Sequence, residues 1–209
     1  MRGAFLVLVV VRYAALLRAV NLGPHHRVDQ AQLRDLAESL RLREVRTLLA
    51  SGNLVFTAGR TAPAVLERSI EVALAEQAHL QTSVCVRTAA EWEDLIARNP
   101  WPEVARRDPS HLLAVVLKSP PTPTQWAELV AAARGPEVVH PGDRVAYIHY
   151  ANGVGTSRLT SAVIDRALKT SGTARNWNTV LKLGQWLRNS ERPARENRPS
   201  RRAGSRPGR

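Results

Sequence analysis

The sequence predicts an α+β fold built from two ferredoxin-like halves of the order βαββαβ, joined by a linking helix, with mixed or antiparallel sheets. Three observations carry that expectation. Short apolar runs with period-two alternation are interleaved with stretches of 3.6-residue periodicity along the chain. In each half two strand-like runs flank a tight-turn signal, Ser51-Gly-Asn53 and Pro141-Gly-Asp143, which makes hairpins and argues against a doubly wound parallel sheet. The order of elements also recurs after residue 110. No residue-level identity accompanies the recurrence, so the repeat is one of pattern.

The elements follow in order. Arg12–Val20 is apolar enough for a buried strand, and Asn21-Leu-Gly-Pro-His-His-Arg27 is a loop marked by Gly-Pro. Asp29 caps a helix whose apolar stripe is Leu33, Leu36, Ala37 and Leu40. Val45–Leu49 and Leu54–Thr57 are the hairpin strands. Thr61 with Pro63 opens a second helix, with Leu66, Ile70, Ala73 and Leu74 on one face, and Thr82–Arg87 is the fourth strand. Thr88 and Glu91 form a capping box for the linking helix, which Asn99-Pro100 stops; Asn99-Pro-Trp-Pro102 and Asp108-Pro109 punctuate the loop after it. The second half runs His111–Lys118 (strand), Pro121–Ala133 (helix), Gly135–His140 and Arg144–Tyr150 (paired strands), a helix capped by Ser157, a short strand Gly172–Asn176, and a closing helix from Trp177 to Leu187. The expected division is an apolar N-terminal extension over 1–10, halves at 11–87 and 111–187, a linking helix and loop at 88–110, and a disordered basic tail at 188–209.

Composition narrows the function classes. The 209 residues are 44% hydrophobic, enough for a buried core, and carry a net charge of +12. Half of that charge is the tail, where eight arginines face only Glu191 and Glu196. Arginine, proline, serine and glycine without periodicity read as disordered, and such a tail binds nucleic acid only through phosphates. The apolar start is far shorter than the ~20 residues that span a bilayer, and charge returns at Arg12; it is read as a mis-called start ahead of Val11 rather than a signal or anchor. Cys85 is the single cysteine, which suits a reducing cytoplasm, and its alternating surroundings make it a buried hydrophobe. The histidines have no metal-ligand spacing, and neither a nucleophile elbow nor a nearby carboxylate pair is present. No cofactor and no metal are expected. Asp35, Glu38, Glu67, Glu71 and Asp165 are placed on polar helix faces.

The densest polar block is Thr173-Ala-Arg-Asn-Trp-Asn-Thr-Val-Leu-Lys-Leu183, with five hydrogen-bonding side chains around Trp177. Asn176 or Asn178 can cap the last helix, and Arg175 offers a planar fork beside a helix start that favours anions. Gly153-Val-Gly-Thr-Ser-Arg158 is a glycine-containing loop that can aim backbone N–H groups at an anion; it lacks the Lys-Ser/Thr ending of a phosphate-binding loop. Arg18 and Asn21 lie at the end of the first strand, and an arginine in an apolar strand needs a partner.

Together with Tyr13–Gly23 and Val45–Phe56, the C-terminal block resembles the DUF1697 family, a bacterial family of unknown function. The resemblance implies two packed α+β halves and a set of shared positions. In this sequence Gly23-Pro24 stands where the family usually has Gly-Gly, and Arg27 occupies its basic position. The expected site is a polar, cationic cleft between the halves, lined by Arg18, Asn21, Arg27, Ser51, Asn53, Arg158, Arg175, Asn176, Trp177 and Asn178. It would bind a phosphate- or carboxylate-bearing ligand: Arg18 and Arg175 hold the anion, the asparagines orient it, and Trp177 walls the site. A nucleic-acid-binding protein using the basic tail, a homodimer whose motifs serve packing, and an enzyme acting on a small anionic substrate are the alternatives. The sheets lack the aromatic pattern of RNA-recognition motifs.

Overall fold

The computed structural model describes residues 9–20, 28–48 and 52–189. The expectations for residues 1–8, for Asn21, Arg27 and Ser51, and for the tail beyond Asn189 lie outside them. The fold is α+β, with two four-stranded antiparallel sheets and, among the described residues, seven α-helices. The first half runs β1 (Val10–Leu17), α1 (Gln30–Ser39), β2 (Arg43–Leu48), β3 (Asn53–Gly59), α2 (Pro63–Ala78) and β4 (Val84–Thr88). Two helices follow, α3 (Ala89–Ala97) and α4 (Pro102–Arg107). The second half runs β5 (Leu112–Leu117), α5 (Pro123–Ala132), β6 (Val138–Pro141), β7 (Val145–His149), a 3-10 turn at Val154–Thr156, α6 (Ser161–Leu168) and β8 (Gly172–Asn176), and α7 (Trp177–Arg188) closes the chain. The sheet orders are β2-β3-β1-β4 and β6-β7-β5-β8.

Local chemistry sets the helix starts. Asp29 caps α1 and Gln32 reaches back to its backbone, a reciprocal box. Thr88 and Glu91 do the same for α3. Asn176 caps α7, accepting from the Thr179 N–H at 3.0 Å. Two expectations are corrected. Residues 102–107 form a short helix rather than a loop, because Pro102 occupies its first turn, where a missing N–H costs nothing. Thr160, not Ser157, caps α6; Ser157 instead accepts from the Leu159 N–H at 3.0 Å and ends the 3-10 turn.

Both sheets are buried on both faces, which is why their central strands read as continuous apolar runs. In β1, Tyr13, Ala15 and Leu17 pack against α1 and α2, whereas Ala14 and Leu16 point to a core between the sheets. In β5, Leu113, Val115 and Leu117 pack against α5 and α6, and Leu112, Ala114 and Val116 face that central core. Trp92 and Leu95 of α3 with Trp177, Val180, Leu183 and Leu187 of α7 complete it. The Trp92 indole N–H donates to the Val180 carbonyl at 3.0 Å, tying the two central helices together. Cys85 belongs to the same core, and burial pushes its thiol from an ordinary 9.0 up to about 11. No helix of the described residues is long and apolar enough to cross a membrane.

Candidate functional site

The sequence singles out Arg175, and its position on β8 explains the polar density around it. Arg175 lies opposite Ala114 of β5, and its side chain turns away from its own half into the seam between the sheets. Its Nε donates to Asn53 Oδ1 at 2.5 Å, one terminal nitrogen to Thr173 Oγ1 at 2.7 Å and the Ala174 carbonyl at 2.8 Å, and the other to the Leu17 carbonyl at 2.8 Å. Asn53 is fully buried and donates to the Leu48 carbonyl at 2.8 Å, so it fastens the β2–β3 turn to the guanidinium. Gly52 makes that turn possible with a φ of +67°, and a Cβ there would run into Val20 and Leu17. Arg175 is only 8% exposed, and desolvation lowers its pKa to about 10.

A second arginine occupies the corresponding place in the first half. Arg87 of β4 lies opposite Ala14 of β1 and is 4% exposed. It donates to the Leu117 carbonyl at 2.6 Å and to the Arg144 carbonyl at 3.1 Å, both in the second half. Each arginine therefore closes the end of the other half's first strand. The surroundings correspond too. Arg144, before β7, has a φ of +51° where Gly52, before β3, has its left-handed turn. Arg18 at the end of β1 pairs with Asp165 of α6 at 2.6 Å, and Lys118 at the end of β5 pairs with Glu71 of α2 at 2.5 Å. Arg18 thus has the partner its place in an apolar strand demands.

Glu67 and Glu71 do not sit on a solvent-facing polar stripe, contrary to expectation. Glu67 is buried, accepts from the Val86 N–H at 2.9 Å, and lies 3.9 Å from Arg87 and 3.8 Å from Arg144. Glu71 accepts from the Val84 N–H at 2.7 Å. The two carboxylates fill the outer edge of β4, which explains the burial of Glu67 and the partial burial of Glu71: an edge strand offers N–H groups that need acceptors. Burial, reinforced by the Arg144 charge, lowers the Arg87 pKa. A sequence signal for this cluster existed. Arg87-Thr88 and Arg175-Asn176 are both an arginine at a strand end followed by a helix cap.

The remaining predicted residues are spread out. Asn176 is spent on its cap, also accepting from the Thr179 hydroxyl at 2.9 Å. Trp177 is buried in the central core, its ring centroid 6.4 Å from that of Tyr147. Asn178 is exposed on the first turn of α7. Arg18 borders a shallow hollow with Ala19, Leu80 and Thr82. Arg158 lies elsewhere, in a cleft of about 640 Å³ within the second half. That cleft is walled by the segment after α5, the Gly153–Arg158 loop and the outer face of α6, and it collects Arg134, Arg158 and Arg166. These three side chains are exposed and make no hydrogen bond or ion pair with the described residues. Among the described residues no cluster of His, Cys, Asp and Glu is arranged to hold a metal ion.

Comparison with known proteins places the chain. The family model DUF1697, described as a protein of unknown function, matches residues 10–147. The chain belongs to that family. The DUF1697 match takes in the first two of the three motif stretches and ends before Thr173–Leu183. A conserved bacterial protein, SP0830 from Streptococcus pneumoniae, has a solved structure similar to this one, with a TM-score of 0.69, 23% identity, and coverage of 86% of this chain and 99% of that one. At that identity the likeness is one of fold. A search of curated proteins finds no match.

Proposed function

We propose that this DUF1697 protein binds a small phosphate- or carboxylate-bearing molecule. The cleft around Arg158 is the site, and the Gly153–Arg158 loop and Arg134 and Arg166 contribute to it. The observation that carries this reading is the convergence of three uncommitted guanidinium groups on one concavity. Several arginines elsewhere in the fold meet carboxylates, as in Arg18–Asp165, Arg87–Glu67 and Arg98–Asp94, whereas these three share one concavity without such a pair. Grouped cations without carboxylate partners suit a planar anion held by forked hydrogen bonds. On this reading Arg175, Asn53 and Asn176 hold the halves in register, and Trp177 fills the core. The two halves are ferredoxin-like units, a reading supported by the twice-repeated element order and the matching sheet orders. The protein works in the cytoplasm.

A second reading keeps the anion at the seam. Arg18 would act there with Asn21, Arg27 and Ser51, and the hollow beside Ala19 and Thr82 favours it. A thermal-shift series on the full chain separates the two, using inorganic phosphate, sugar phosphates, nucleotides and carboxylic acids in moderate salt, which suppresses binding by the tail. A ligand at 100 times its Kd stabilises by about 2.7 kcal/mol. Loss of the shift in Arg158→Ala and Arg166→Ala supports the cleft. Loss in Arg18→Ala alone moves the site to the seam. Persistence in all three, with RNA binding that falls steeply with salt, points to the tail and a nucleic-acid partner.

A further inference from the structure

Glu137 is the one residue in that cleft whose chemistry opposes the arginines. It is only 6% exposed and forms part of the cleft wall between Pro136 and β6. Its carboxylate accepts no hydrogen bond and meets no cation within ion-pair distance among the described residues, and it is not among the groups with a further partner. Elsewhere in the fold buried carboxylate is answered: Glu67 takes the Val86 N–H and lies near two arginines. Neither Glu137 oxygen is among the side-chain atoms cut off from solvent, so both lack a protein partner yet remain open to donors that a ligand brings into the cleft.

The Glu137 carboxylate folds back over Gly135, where any Cβ would collide with it. Tyr150 also lines the cleft; its hydroxyl donates to the Leu159 carbonyl at 2.9 Å, so it offers nothing to Glu137. Burial pushes the Tyr150 pKa up to about 12, and the nearby Glu137 charge adds to the rise. Ala132, Pro136 and Val163 supply apolar wall beside these polar groups. A cleft of about 640 Å³ is in the size range of small-molecule sites.

We infer that Glu137 makes this a site for a ligand with a planar pair of parallel N–H donors at one end and an anionic group at the other. The inference rests on the cleft reading above. The two carboxylate oxygens accept the donor pair side by side, while Arg134, Arg158 and Arg166 take the anion. Two ligand types carry both features, a guanine nucleotide and a guanidino acid such as arginine. Adenine does not qualify, because its pairing edge sets an acceptor nitrogen beside a single amino group, and that acceptor would face a carboxylate oxygen.

The test is calorimetric titration of the full chain with GMP, AMP, L-arginine and inorganic phosphate, repeated for Glu137→Gln, Gly135→Ala and Arg158→Ala. GMP or L-arginine is expected to bind, and GMP to exceed AMP by roughly ten- to a hundred-fold, the discrimination of one bidentate pair. Glu137→Gln replaces one acceptor by a donor; it should weaken GMP and L-arginine and strengthen AMP, whose edge matches an amide. Gly135→Ala displaces the carboxylate without altering charge and serves as the second probe should the Gln variant melt early; it should weaken the donor-bearing ligands and leave phosphate unchanged. Arg158→Ala should weaken every anion. Equal binding of GMP and AMP, unchanged in Glu137→Gln and lost in Arg158→Ala, overturns the role of Glu137 and leaves the anion cleft standing. Absence of binding by all four, or binding indifferent to Arg158→Ala, overturns both.

Discussion

Arg87 and Arg175 cap each other's halves: each lies opposite an alanine of its own half's first strand and donates to the leucine carbonyl that ends the other half's first strand. Leu17 and Leu117 are those leucines. The exchange costs two buried charges. It is sustained by many hydrogen bonds at once, which a forked, planar guanidinium supplies and a lysine does not.

Removing either arginine should therefore destabilise the protein strongly. Arg175→Ala leaves the Leu17 carbonyl, Asn53 Oδ1 and Thr173 Oγ1 short of a donor, and each such loss costs about 1–3 kcal/mol. Chemical denaturation should show a loss on the order of 3 kcal/mol or more for Arg175→Ala and a similar one for Arg87→Ala. Arg175→Lys should recover little of it.

Glu67 is predicted to matter as much as the arginine it accompanies. Glu67→Ala strips the Val86 N–H of its acceptor and leaves Arg87 without the nearby carboxylate, a change worth about 3–5 kcal/mol. A double-mutant cycle with Arg87→Ala should give a large coupling energy. Additive losses would show that the two side chains act separately.

Arg18 and Asp165 should behave differently although their pair is short. Both side chains are about a quarter to a third exposed, so solvent screens them. Arg18→Ala should cost no more than about 1 kcal/mol, and less in high salt. The contrast with Arg175→Ala in the same denaturation series checks the assignment of structural weight.

Cys85 gives a pH signature. Its thiol ionises near its ordinary 9.0 when unfolded and at about 11 when folded, chiefly because it is buried. Between those values the folded state holds the proton and the unfolded state does not, so stability is complete below pH 9 and falls as pH rises toward 11. The difference in stability between the wild type and Cys85→Ala should shrink across that window.

The fold was legible because local rules agreed with the tertiary structure. The Asp29 cap, the Thr88 box, the Leu33–Leu36–Ala37 stripe and the Gly52 turn each point to one conformation. Helix α4 was hidden because Pro102 and Pro109 read as loop punctuation, whereas one of them starts a helix. The arrangement of the candidate site was legible only in part. Arg175, Asn53 and Asn176 stood out as polar residues in apolar company, but composition cannot tell a ligand contact from a carbonyl of the other half. Glu67 shares the spacing of a helix surface, and only the edge of β4 shows why it is buried. Glu137 and Arg134 flank Gly135-Pro136, a stretch whose sequence says turn, and the cleft they border with Arg158 and Arg166 depends on how α6 folds back.

The crossed arginines also bear on how this molecule can move. Swinging one half away from the other would pull Arg87 and Arg175 from their acceptors and expose the Trp92–Val180 contact at the same stroke. A hinge at the seam is thus expensive, and the two sheets travel as one rigid body. If the proposed cleft binds a ligand, adjustment to it would fall to short segments such as 151–158, a local rearrangement at a fixed scaffold rather than closing jaws.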